Sequence, residues 1–336
     1  MIHETSQQAL VAERVDQPGY SFGVAMHTPD GAFGEIRSAV PAGHMEPMLD
    51  VIQHFIATQR LKMVAHRNPL AQLPQIMGVE TIDTKSMMLL AIGGYLLTGA
   101  SNGLNQIIER DTDAIMSRTK NRPLPTGRMS VKTALFLSIS AGIVGIFCLG
   151  LLHYIAAILG VVALILYAFF YTPLKSRSTL CVFVGAIPGA LPPMIGYVAA
   201  TGELGIEPCA LFAVQFMWQF PHFWAIAWLA HEDYSKVNYK MLPFNSGLSN
   251  RSASTILLYT LFCIPASLLP WALPTGHPMV GNIALIVSII AGLGFSWYAW
   301  KLSISLDRAD ARKLMFASFF YLPVVQIIYV LDKTAI

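Results

Sequence analysis

From residue 86 onward the chain alternates long apolar runs with short polar links, and that alternation leaves few folds open. Eight such runs follow one another, at 86–107, 131–152, 154–171, 179–200, 208–230, 252–273, 279–300 and 312–331. Each is close to the ~20 residues that carry a helix across the hydrocarbon of a bilayer. In lipid a helix satisfies its own backbone N–H and C=O groups, which an isolated strand cannot do. Composition agrees, with 54% hydrophobic and 12% charged residues and a mean hydropathy of +0.55, far more apolar than a soluble chain. The expected fold is all-α, a polytopic transmembrane helix bundle of eight spans.

Charge orients the bundle. The links after the first, third, fifth and seventh runs hold 15 of the 22 Lys and Arg residues, from Arg110 to Lys313. Past residue 86 the opposite side holds Lys333 alone. Cytoplasmic loops are the ones enriched in Lys and Arg, so the polar motifs are expected on the cytoplasmic face of a bacterial inner membrane. A net charge of +3 implies no affinity for nucleic acid. The cysteines Cys148, Cys181, Cys209 and Cys263 stand singly in apolar runs and read as small core residues, without metal-ligand spacing. Residues 1–85 differ from the rest. They mix Gly, Pro, His, Asp and Arg, hold no run near span length, and lack the pattern of a signal peptide. They are expected to form an extramembrane segment with an amphipathic helix around 48–64, and 86–336 the transmembrane domain.

The stretch 105–122, N-Q-I-I-E-R-D-T-D-A-I-M-S-R-T-K-N-R, leaves the first run. Asn105, Glu109 and Asp113 recur every four residues and share one helical face. Arg118 and Arg122 follow at the same spacing. Carboxylates that hold a hard cation beside guanidiniums that grip phosphate suit a magnesium–diphosphate ligand. A solvated loop of mixed charge between two membrane helices is the alternative.

Further polar groups sit at the same ends. The third run closes with Tyr171-Thr-Pro-Leu-Lys175, where Lys175 either snorkels to the interface or adds a cation to the diphosphate, with Tyr171 beside it. The fifth run reads Trp218-Gln-Phe-Pro-His222-Phe-Trp and continues to His231-Glu232-Asp233-Tyr234. A histidine inside a bilayer is costly and points to function. Packing beside Pro221 is the competing explanation. Glu232 and Asp233 are either further ligands or ordinary solvated charges. Pro and Gly cluster in the fourth run (Gly185, Pro188, Gly189, Pro192, Pro193, Gly196), which suits helices bent around a cavity.

The run N-x-x-x-E-R-D-x-D-x-x-M-x-R-T-x-x-R-P-L-P-x-G at 105–127 resembles the first signature of the UbiA-type intramembrane prenyltransferases, specifically their haem O synthase branch. Y-T-P-L-K at 171–175, G-A-x-P-G-A-x-P-P at 185–193, W-Q-x-P-H-F-W-A at 218–225 and E-D-Y…M-L-P at 232–243 resemble that branch in the same order. The resemblance implies transfer of farnesyl from farnesyl diphosphate to a vinyl group of haem B. It implies Mg²⁺ and diphosphate held by Asn105, Glu109, Asp113 and Asp233, with Arg118, Arg122, Lys175 and Tyr171 as further diphosphate contacts. It also implies the lipid bilayer as surroundings, and a haem A synthase or terminal-oxidase assembly proteins as partners. The haem acceptor makes His222 a candidate iron ligand, a packing residue, or a base that delivers water. Two alternatives stay open: prenylation of a quinone precursor or other aromatic acceptor, and an ion- or proton-coupled transporter. The family carries nine spans against eight here, and its second acid pair at i, i+4 is reduced to Asp233 with adjacent Glu232.

Overall fold

The structure is a computed structural model that describes residues 84–273 and 278–334, with the backbone of 22–23, 26–27, 33–34 and 37–38. The chain divides into two units, Met1–Met45 and Glu46–Ile336. In the first, β1 (Phe22–Gly23) pairs antiparallel with β4 (Arg37–Ser38), and β2 (Met26–His27) with β3 (Phe33–Gly34). The helix expected around 48–64 and the family's additional first span lie outside the described residues.

The described part of the second unit is helical. Eight long helices match the eight apolar runs: α1 (Thr84–Ile108), α3 (Val131–Leu152), α4 (Tyr154–Leu174), α5 (Cys181–Thr201), α6 (Ile206–Leu229), α8 (Asn250–Ala272), α9 (Asn282–Ser305) and α10 (Arg308–Leu331). Two short helices lie in the loops, α2 (Arg110–Asp113) and α7 (His231–Lys236). Seven of the long helices are long and apolar enough to cross a membrane, so the protein is an integral membrane protein. The exception is α6. Its Gln215, Gln219 and His222 lower its hydropathy, yet they are 0%, 3% and 2% exposed. A helix buried inside the bundle can carry polar groups that a lipid-facing one cannot.

The helices pack as α1, α3, α4 and α5 on one side and α6, α8, α9 and α10 on the other, joined by α5 against α6. In α5, 72% of the most apolar stretch is buried, against 28% in α1, α3 and α4, which makes α5 the central wall. Outward-facing Phe136, Phe147, Tyr154, Ile290 and Phe320 are exposed, as lipid-facing residues should be. Close crossing of α1 and α3 depends on Gly93 and Gly145: a Cβ on Gly145 would stand 2.9 Å from the Gly93 carbonyl oxygen. Cys148, Cys181 and Cys263 are buried as expected, but Cys209, on the first turn of α6, is exposed.

Candidate active site

At one end of the bundle three loops meet, those after α1, α4 and α6. The first and third are anchored by their own apolar residues, Met116 and Leu124 in the first and Met241 and Leu242 in the third, all buried. They are also tied to one another. The Lys240 backbone N–H donates to the Lys175 carbonyl at 2.7 Å, and the Lys236 ammonium donates to Ser117 Oγ at 3.1 Å.

Beneath this cap lie the first-motif residues. Asn105, in the last turn of α1, donates from Nδ2 to Thr172 Oγ1 at 3.0 Å. Lys175 Nζ stands 2.9 Å from Glu109 Oε1 and donates to Oε2 at 3.2 Å. Arg122 donates to Asp113 Oδ2 at 2.8 Å, and Asp113 is wholly buried. Burial pushes the Asp113 pKa up, more than the Arg122 guanidinium beside it pulls it down, and the charge of nearby Glu109 pushes it up further. The helical spacing of Glu109 and Asp113 therefore does place two acids close enough to repel.

Asp233 is held differently. Its carboxylate accepts from the backbone N–H groups of Ser117 and Arg118, both at 3.2 Å, and from Lys236 at 2.6 Å. Burial works against ionisation here, but these donors outweigh it and hold the pKa down at about 2. Arg118 lies 6.0 Å from the Tyr234 ring centre, and Tyr171 stacks under Lys175 at 4.5 Å. Among the described residues no three His, Cys, Asp or Glu side chains come together as a metal-binding group. The two acids of the first motif are instead each paired with a cation, and Asp233 binds the loop that carries Arg118.

What the two acids offer a cation is a pair of hard oxygens. Asp113 Oδ1 is buried and accepts no hydrogen bond, and buried Glu109 Oε1 meets only the Lys175 ammonium, at 2.9 Å. Such oxygens, with the amide of Asn105 nearby on the same helical face, fit a small divalent ion.

Below the loops a partly open cleft lies between α1, α4, α5 and α6. Tyr171, Gly185, Gly189, Gln219 and His222 are on its wall. Pro193 has no N–H for the carbonyl of Gly189 four residues back, and that carbonyl accepts instead from Gln219 at 2.9 Å and Gln215 at 3.3 Å. His222 is stacked on Trp218 at 4.3 Å, and its Nδ1 lies 2.7 Å from Ser318 Oγ of α10. The sequence suggested one continuous helix from His222 to Asp233. The structure breaks it at Ala230, between α6 and α7, and Asp233 bonds the loop of Ser117 and Arg118.

Sequence reasoning missed Thr172, Thr112 and Tyr239. Thr112 donates its only hydroxyl proton to the Glu109 carbonyl at 2.8 Å, so the Tyr239 phenol, 2.8 Å away, donates to Thr112. Burial first, then the charge of Glu109, pushes the Tyr239 pKa up. No periodicity marks these residues, because Tyr239 comes from a loop 130 positions further on than Glu109. The i+5 offset between Tyr167 and Thr172 is also invisible to a 3.6-residue repeat. It arises from the π-helical turn Leu166–Tyr171 within α4.

Residues 77–322 fit the model of the UbiA prenyltransferase family. A protoheme IX farnesyltransferase of Christiangramia forsetii is 48% identical over 76% of this chain and 85% of its own length. One from Flavobacterium psychrophilum is 46% identical over 74% and 82%. Among solved structures, a digeranylgeranylglyceryl phosphate synthase superposes with a TM-score of 0.66 at 16% identity, over 86% of this chain and 95% of that one. A UbiA homolog from Archaeoglobus fulgidus bound to GPP and Mg²⁺ superposes with a TM-score of 0.56 at 13% identity, over 85% and 97%.

Proposed function

This chain belongs to the UbiA prenyltransferase family, and on that premise we propose how its site carries out the reaction of its protoheme IX farnesyltransferase relatives. The chain is a prenyltransferase that moves farnesyl from farnesyl diphosphate to a vinyl group of haem B, with addition of water, giving haem O and diphosphate.

One observation carries the assignment of the site: two acids in the first motif, Glu109 and Asp113, are buried, each beside a cation, and Tyr171, the ring under one of those cations, is on the wall of the cleft. Diphosphate leaves carbon only if its growing negative charge is neutralised. Lys175, Arg122 and Arg118 supply fixed positive charge for that purpose, with Lys175 held over the Tyr171 ring. Asn105, Glu109 and Asp113 would hold Mg²⁺, which when bound supplies Lewis-acid stabilisation to the leaving group. Asp233 fixes the loop that carries Arg118 and completes the rim. The cleft shields the farnesyl cation from bulk water while the electron-rich vinyl carbon attacks it. His222, on the cleft wall, would ligate the haem iron and so hold the porphyrin.

On this reading the transmembrane domain, 86–336, carries the activity, with its motif loops cytoplasmic. Extraction of haem from cells expressing the chain tests the function by mass. Haem O is expected, and haem B alone would overturn the assignment. Haem O carrying a prenyl chain of another length would correct only the donor.

A further inference from the structure

Two polar rungs join α1 to the π-helical end of α4. The outer one runs from Asn105 Nδ2 to Thr172 Oγ1 at 3.0 Å, and belongs to the diphosphate site. The inner one runs from the Tyr167 hydroxyl to Asn102 Oδ1 at 3.2 Å. Asn102 is three residues before Asn105, which sets the inner rung about 4.5 Å deeper along α1. Both of its members line the cleft.

The inner rung is not isolated. Thr98 and Ser101 line the same cleft, so α1 turns Thr98, Ser101 and Asn102 toward it, at i, i+3 and i+4. Polar groups grouped like this on a membrane helix are costly and call for a use. Ser101 is satisfied by the Leu97 carbonyl at 3.0 Å. Asn102 accepts from Tyr167, while its own amide NH₂ donates to no other described residue. A prenyl chain or a porphyrin face has no need of that amide. Water does, since a bound water wants two to four polar partners.

Resting on the function proposed above, we infer that Asn102 and Tyr167 hold the water molecule that ends the reaction. Once the vinyl carbon has bonded to farnesyl, the positive charge lies on the carbon next to the porphyrin. The lone pair of the held water forms the C–O bond to that carbon, and its proton passes to the departing diphosphate, one helical turn away. Without a held water the same cation loses a proton from the neighbouring carbon instead. The product is then an alkene lighter than haem O by one water.

A packing role for the rung would leave the product unchanged, whereas a water-holding role would not. Asn102→Leu and Tyr167→Phe, expressed in cells beside the wild type, are compared by the mass of the extracted haems. The ratio of alkene to haem O is expected to rise about tenfold in each, the cost of one lost hydrogen bond to the nucleophile. An unchanged ratio would overturn the inference. Tyr167→Phe removes a hydroxyl and keeps the ring, so it carries the test even where Asn102→Leu fails to accumulate. Asn105→Leu, on the outer rung, is expected to cut total product without changing the ratio. No farnesylated haem from the wild type would instead remove the functional reading on which the inference rests.

Discussion

Lys175 Nζ lies 2.9 Å from Glu109 Oε1, and the two side chains are 11% and 6% exposed. The third link of the chain is thereby clamped to the first by an ion pair that is nearly dry. Such a pair is weak evidence for stability, because desolvation offsets the attraction, but leaving one partner alone is expensive. Lys175→Met is therefore expected to cost roughly 3 kcal/mol. Adding Glu109→Gln to it should recover most of that stability without recovering turnover. Thermal unfolding in detergent and haem O yield measure the two effects. Activity in the double variant close to wild type would contradict the diphosphate assignment.

Asp113 separates function from stability in the opposite way. Burial raises its pKa above the ordinary 3.8, so its folded form is favoured when protonated. That contribution is fullest below pH ~3.8 and fades as pH rises through the raised value. At neutral pH the ionised Asp113 is a burden on the fold, which Asp113→Asn removes. The variant is expected to melt no lower than wild type while losing at least about a hundredfold in turnover, as the metal-holding carboxylate is gone. A lower melting temperature with activity intact would refute the assignment.

Asp233 has the reverse sign. Its pKa is depressed to about 2 from 3.8 by Lys236 and the Ser117 and Arg118 backbone donors, against its own burial. Its stabilisation is present above pH ~3.8 and is lost as pH falls from there toward 2, an amount of about 1–2 kcal/mol. Asp233→Asn should flatten the acid limb of a stability–pH curve in that window. A curve that keeps the wild-type acid limb would show that these hydrogen bonds contribute nothing to the fold.

Gly185 faces the ring of Tyr171. A Cβ there would stand 2.6 Å from Tyr171 Cδ2, too close to be absorbed without moving the ring. Gly185→Ala is expected to cost about 1–3 kcal/mol of overpacking. It should also lower kcat/KM, because the displaced ring is the one beneath the Lys175 ammonium. Steady-state assays on purified protein decide this; unchanged kinetics would mean that Tyr171 does not position Lys175.

With Nδ1 engaged by Ser318 Oγ at 2.7 Å, the remaining ring nitrogen of His222, Nε2, is the one that haem iron would take. His222→Ala is expected to weaken haem binding and shift the Soret band, leaving farnesyl diphosphate binding nearly unchanged. Absorption titration with haem reads this directly. An unshifted band at wild-type affinity would leave His222 a packing residue.

The eight helices and the face shared by Asn105, Glu109 and Asp113 are determined by the sequence alone. Both are local properties: each membrane helix satisfies its own backbone, and residues four apart share a face whatever surrounds them. Even α6 is legible as the fifth apolar run, although it holds no stretch apolar enough to count as a span by hydropathy. The tertiary structure decided which cation meets which acid, Lys175 with Glu109 and Arg122 with Asp113. It also decided that Asp233 binds the loop of Arg118, that Tyr239 reaches Thr112, and that Ala230 breaks the helix between His222 and Asp233. Most of those contacts join segments some 60 or more positions apart, and none follows a period. They exist because buried Met116, Leu124, Met241 and Leu242 draw two loops onto the end of the bundle where α4 also closes, and there the polar groups must pair with one another.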